Sequence, residues 1–145
     1  MALQVSVIGS GAEHEATAEE VGGLLAQRGC VVVTGGLGEV MAAAQRGAKA
    51  ADGTTIAIVP GETHDEANPW SDHVVVTGIG HARNLAVAAS GHAVIAVGGS
   101  YGTLAEIAFA LRLRRPIVIV DGPQVDGVAR VGTAAEAVDA VLAAL

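Results

Sequence analysis

Glu106 stands three residues after Thr103, directly behind the run Gly98-Gly99-Ser100-Tyr101-Gly102-Thr103. A glycine-rich turn that feeds a helix leaves backbone N–H groups free to hold an anion. A carboxylate one helical turn further on could accept a proton or bind a ribose hydroxyl. Arg83 falls in the first turn of another predicted helix, just after Gly80. Cations are disfavoured at a helix N-terminus, so an arginine there points to a bound anion or a neighbouring carboxylate. Taken together, these residues suit a phosphate-bearing small molecule. Tyr101, the only tyrosine, either stacks on a base or covers the edge of the site.

Three further glycine turns repeat the theme: Gly9-Ser10-Gly11, Gly35-Gly36-Leu37-Gly38 and Gly78-Ile79-Gly80. Any one Gly-x-Gly also serves as a plain strand-to-helix turn. The usual fingerprints are missing. His14 replaces the third glycine of G-x-G-x-x-G, and no G-x-x-x-x-G-K-[ST] accompanies the lone lysine, Lys49. The Thr-x-x-Glu spacing also recurs at Thr17–Glu20 and Thr133–Glu136, away from any such glycine run; alone, it reads as a capping box. Glu62, His64, Asp65, Glu66, Asp72 and His73 gather acidic and imidazole groups but match no structural zinc spacing, so this stretch reads as a solvated lid without a metal. Cys30 opens an apolar strand and reads as packing. Arg112, Arg114 and Arg115 read as complements to the C-terminal dipole of the helix before Pro116.

Short β-branched runs must position these residues: Gln4–Ile8, Cys30–Thr34, Thr54–Val59, His73–Thr77, Ala93–Val97 and Pro116–Val120. They are near-continuously apolar, as strands buried on both faces are. Helix-period segments separate or follow them, at Glu13–Arg28, Gly38–Ala51, His81–Ser90, Thr103–Arg114 and Thr133–Leu145. The alternation predicts a single α/β domain over residues 1–145, with a doubly wound, Rossmann-like parallel sheet of about six strands and helices on both faces. Every glycine turn then lies at the carboxyl ends of the strands, where open α/β sheets bind ligands.

Composition narrows the partners. A net charge of −7 disfavours nucleic acid, whose phosphates require a positive surface. No apolar stretch approaches the ~20 residues that span a bilayer, and no basic region precedes the first Val/Ile run, so neither a membrane nor a secretory signal is expected. One cysteine fits a reducing cytoplasm. With 51% hydrophobic residues in so short a chain, apolar helix faces need cover, which predicts a homo-oligomer.

The run from Gly98 to Glu106 resembles the P-G-G-x-G-T-x-x-E signature of the LONELY GUY family. Thr77-Gly-Ile-Gly-His-Ala-Arg83-Asn84 followed by Val94–Glu106 is closer still to a compact branch of that superfamily, which includes the molybdenum cofactor carrier protein. The resemblance runs from Val5 to about Val120. It implies a Rossmann-like fold assembling as homodimers or homotetramers. In the enzymes of the family, the signature holds a nucleotide phosphate, and an Arg and a Glu cleave the N-glycosidic bond of nucleoside 5′-monophosphates. By matching position, Arg83 and Glu106 would be the catalytic pair, and Gly99, Gly102 and Thr103 the phosphate cradle. Gly9, Ser10, Gly35, Gly36, Gly98, Ser100, Tyr101 and Asn84 complete the expected phosphate or nucleotide site. Val97 stands where the enzymes have Pro, and Asn84 where they usually have Lys. Those departures resemble the carrier branch, whose members bind a phosphate-bearing pterin cofactor. The first expectation is therefore a binding or carrier protein for a nucleotide or molybdopterin-type ligand, with no required cofactor. A phosphoribohydrolase is the alternative. A nucleic-acid partner, suggested by the related DNA-processing protein A branch, ranks third.

Overall fold

Strands buried on both faces must find partners along both edges, and a computed structural model of all 145 residues shows how they do. In chain order the elements are β1 (Gln4–Ser10), α1 (Glu15–Gln27), β2 (Val31–Thr34), α2 (Val40–Ala50), β3 (Thr55–Val59) and β4 (His73–Val76). They continue with α3 (Arg83–Ser90), β5 (Ala93–Gly98), α4 (Tyr101–Arg112), β6 (Ile117–Val120), β7 (Ala129–Val131) and α5 (Ala134–Ala143). The strands form one sheet in the order β4-β3-β2-β1-β5-β6-β7, and every pairing is parallel. The chain winds outward from β1 to β4, then returns to lay β5 along the other side of β1. The switch point therefore falls between β1 and β5, where a ligand crevice is expected.

The sheet has one strand more than the sequence suggests. β7 is three residues, Ala129-Arg130-Val131, at the far edge beside β6. It is too short and too polar to stand out as a β-branched run.

Alternation along the strands divides the core between two helical layers. Val5, Val7, Val32, Ile95 and Val97 belong to a cluster of 20 buried residues beneath α1, α2 and α5. Ile8, Val33, Val94, Ala96 and Ile119 belong to a cluster of 9 beneath α3 and α4. Full burial of a residue such as Leu25 or Ile95 contributes roughly 1.5–3 kcal/mol, so this apolar set dominates the stability.

The thicker layer depends on glycine. A Cβ on Gly22 of α1 would lie 1.9 Å from the Ala44 carbonyl oxygen, and one on Gly47 of α2 would lie 1.9 Å from that of Glu19. Each helix thus lays a glycine against the other's backbone. Glycine in a helix interior costs about 1 kcal/mol relative to alanine, and the close helix contact offsets that cost here. No helix is long and apolar enough to cross a membrane.

On the opposite layer, Arg115 Nη2 donates to the carbonyl of Ala89 at 2.9 Å. Arg115 therefore serves the end of α3 and not that of α4, which the sequence alone suggests.

Candidate functional site

The crevice opens at the switch point, at the carboxyl ends of β1, β2 and β5. It encloses about 180 Å³, and its walls include Gly9, Ser10, Gly35, Arg83, Asn84, Ser100, Gly102, Thr103 and Glu106.

α4 supplies the richest wall. Its N-terminal flanking residue is Ser100, in an extended conformation, whose side chain makes no capping bond. The first amides of any helix lack intrahelical partners, so those of Tyr101, Gly102 and Thr103 are open to an acceptor. Gly99, at φ +136°, lets the turn pass close above Thr103: a Cβ there would meet the Thr103 methyl at 2.7 Å. Because α4 begins at Tyr101, Thr103 and Glu106 lie inside the helix and not at its cap. Both are buried and share one helical face. Of the repeats of that spacing, the one at Thr133 is a genuine cap: Thr133 Oγ1 accepts the Glu136 N–H at 3.1 Å, whereas Thr17 lies inside α1.

Arg83 approaches from the first turn of α3. Its guanidinium lies against Gly35 at the end of β2, where a Cβ would stand 3.0 Å from Nη2. Nη1 donates to Asn84 Oδ1, and Nε is buried with no protein partner. An amide at position 84 can accept that bond; a lysine there could not. Asn84 thus steadies the guanidinium from the next residue of the same helix.

Burial governs the charges. Arg83 and Glu106 are each only 8% exposed. Desolvation pushes the Glu106 carboxyl up to about 7, against the opposing pull of Arg83. Burial likewise lowers the Arg83 guanidinium from its ordinary value, while Glu106 and Glu66 act to restore it. Arginine nevertheless stays charged at any ordinary pH. The site therefore holds one permanent cation, one carboxyl balanced near neutrality, and a fan of open amides. That combination has the chemistry to hold a phosphate and to exchange a proton.

Four residues from the sequence-based site lie outside the walls. Gly36 is committed elsewhere: its N–H donates to Thr34 Oγ1 at 3.0 Å, and its carbonyl accepts from the Asn68 N–H and Nδ2. Gly98 is buried against His14, and Gly99 is exposed above Thr103; neither is part of the wall. Tyr101 is 90% exposed and is not part of the wall. Conversely, His81 and Met41 line the crevice without having been singled out. His81 sits two residues before Arg83 in the 3-10 turn Gly80–Ala82, and that neighbourhood was the available signal. Met41 carried none, because a methionine in an apolar helix reads as core.

The acidic loop divides its groups. Glu66 turns inward and accepts the Gly61 N–H at 2.8 Å, while Asp72 pairs with Lys49 at 2.9 Å and accepts the Thr55 N–H. Glu62, His64 and Asp65 are exposed.

With this geometry described, likeness to other proteins becomes informative. The model of the SLOG cluster4 family matches residues 2–143. The chain belongs to that family. An uncharacterised protein of Archaeoglobus fulgidus is 42% identical over 132 residues, covering 85% of this chain and 87% of its own. Among solved structures, the molybdenum cofactor binding protein of Rippkaea orientalis superposes with a TM-score of 0.93 at 29% identity, covering 99% of this chain and 98% of that one. The molybdenum cofactor carrier protein of Chlamydomonas reinhardtii superposes with a TM-score of 0.88 at 31% identity, covering 99% of both chains. The SLOG cluster4 chain described here thus has the architecture of those carriers end to end, Rossmann-like sheet included.

Proposed function

We propose that this SLOG cluster4 protein is a binding or carrier protein for a phosphorylated, nucleotide-like small molecule, of which nucleoside monophosphates and pterin cofactors are the leading classes. One observation carries the reading. The open amides of α4 and the Arg83 guanidinium, with its unpartnered Nε, line a single crevice. A phosphate oxygen set is the natural complement of both. Likeness to molybdenum cofactor carriers along nearly the whole chain supports the carrier role.

Size refines the picture. Small-molecule pockets commonly enclose ~300–1,000 Å³, and this crevice encloses about 180 Å³. It suits the phosphate and adjoining sugar or ring, with the remainder of the ligand projecting past exposed Tyr101. A second copy of the chain is proposed to cover that remainder in a homodimer or homotetramer. The exposed side chains of Leu85 on α3 and Leu104 and Leu111 on α4 supply an apolar face for it. A cytoplasmic setting belongs to the same proposal, and the single buried Cys30 suits reducing surroundings.

A phosphoribohydrolase is the second reading, favoured by the elevated Glu106 carboxyl beside Arg83. In that chemistry the bond from C1′ to the base nitrogen breaks. A water oxygen bonds to C1′, and a proton ends on the departing base. The deciding test is incubation with AMP, with chromatography for adenine and ribose 5-phosphate alongside calorimetric binding. Bound, intact AMP supports the carrier. Release that disappears in Glu106→Gln overturns it in favour of the hydrolase, and absence of both binding and release overturns the hydrolase and the nucleoside monophosphate carrier, leaving the pterin class.

A further inference from the structure

Glu39 is the most strained side-chain-bearing residue near the crevice. Its backbone adopts φ 53°, ψ −122°, a conformation ordinarily left to glycine. It immediately precedes α2, yet its carboxylate does not cap that helix. Instead, Oε2 reaches back across the rim and accepts the backbone N–H of Gly11 at 2.7 Å. Gly11 follows Ser10 at the end of β1, and Gly9, Ser10, Gly35 and Met41 on either side all belong to the crevice wall. The strained backbone and the charge-assisted bond together fix a negative charge beside the wall residues Gly9, Ser10 and Gly35 at the ends of β1 and β2, although neither Glu39 nor Gly11 is itself part of that wall.

In dinucleotide-binding folds, the glycine turn after the first strand receives a pyrophosphate. Here the corresponding Gly11 amide is already occupied by the chain's own carboxylate. The open amides and the buried cation lie instead on α4 and α3. We infer that Glu39 is a specificity-determining residue that closes the β1 side of the crevice to a second phosphate, so that the site selects ligands bearing one phosphate over those bearing two. The inference rests on the proposed phosphate-binding role and names its ligand class more narrowly. A monophosphate seats on α4 and Arg83. The additional phosphate of a diphosphate would meet a carboxylate where other sheets of this kind offer an amide.

AMP and ADP share a base and a sugar and differ in this one respect. Calorimetric titration of the full-length protein with each gives the AMP:ADP affinity ratio for the wild type and for Glu39→Gln, Glu39→Ala and Glu39→Asp. The wild type is expected to prefer AMP. Glu39→Gln and Glu39→Ala should narrow that preference by about fivefold, the effect of one surface charge at short range. Glu39→Asp, which keeps the charge, should retain most of it. The wild-type preference should also shrink as salt is raised, because the repulsion is screened. A purely structural Glu39 would alter the two affinities in parallel and leave their ratio unchanged, which overturns the inference. Equal wild-type affinity for AMP and ADP overturns it as well. If the wild type binds neither, the nucleotide-binding reading falls and takes this one with it. Should a variant fold poorly, Glu39→Gly removes the carboxylate while relieving the backbone, and the same ratio decides.

Discussion

Arg83 and Glu106 line one crevice, equally buried, and do not form an ion pair. The ion pairs of the protein lie elsewhere, at Arg28–Asp139, Glu19–Arg46 and Lys49–Asp72. The two charges feel each other through the crevice, as the pull of each on the other's titration shows. A pair in contact would spend its hydrogen bonds internally. Held apart, with Arg83 steadied by Asn84, the groups keep donors and acceptors for something placed between them.

The Glu106 carboxyl makes stability depend on pH. An ordinary glutamate titrates near 4.5, and burial moves Glu106 to about 7. Between those values the folded chain holds a proton that the unfolded chain has released. Stability therefore falls as pH rises from about 4.5 through 7, by an amount on the order of 3 kcal/mol, and levels off above. Glu106→Gln removes that penalty. Urea denaturation should find the variant gaining on the wild type through this window and holding its advantage near pH 8. A difference that stays constant with pH contradicts the assignment.

Gly35→Ala separates binding from folding. The new methyl would press on the Arg83 guanidinium and the Met41 sulfur, two flexible side-chain ends that can move aside. Thermal stability should change by about 1 kcal/mol or less, while AMP affinity should fall roughly tenfold as Arg83 is displaced. Intact affinity would show that Arg83 does not contact the ligand.

The Thr-x-x-Glu sequences beginning at Thr103 and Thr133 should respond in opposite ways. Thr133→Ala removes a helix cap and should cost about 1 kcal/mol in denaturant unfolding, with ligand affinity unaltered. Thr103→Val swaps a hydroxyl for a methyl inside the crevice, so it should weaken phosphate binding with little change in helix stability. Matching phenotypes would contradict the different placements of the two threonines.

Gly22→Ala tests the helix contact. Its methyl would collide with the Ala44 carbonyl, and backbone cannot step aside as a side-chain end can. A loss of about 2–4 kcal/mol is expected from forcing α1 and α2 apart. An unchanged unfolding midpoint would mean that the two helices can separate at that point without cost.

Much of this was legible in the sequence, for identifiable reasons. Runs such as Val31-Val32-Val33 and Ala93–Val97 are apolar on both faces, and only strands of a covered parallel sheet need that. β7 escaped because edge strands bury little. The crevice was visible through glycine spacing, which marks where backbone comes close. Spacing could not reveal which close approaches face the crevice. Gly35 and Gly36 are adjacent, yet one touches Arg83 while the other anchors Asn68 through a buried network with Thr34 and Gln45. Nor could it fix where α4 begins, on which the roles of Thr103 and Glu106 depend.

The switch point between β1 and β5 also carries a kinetic consequence. Gly9, Ser10 and Gly35 come from the first part of the chain, and Arg83, Thr103 and Glu106 from the second. The parts meet in the sheet through contacts such as the Gln4 N–H on His92 Nδ1, 88 residues apart. Closing so long a loop is slow compared with forming any single helix or turn. The crevice is therefore expected to form late in folding, after most secondary structure. Under the proposed function, a ligand would capture only chains that have completed the central pairing, and its binding energy would stabilise that seam along with the rest of the molecule.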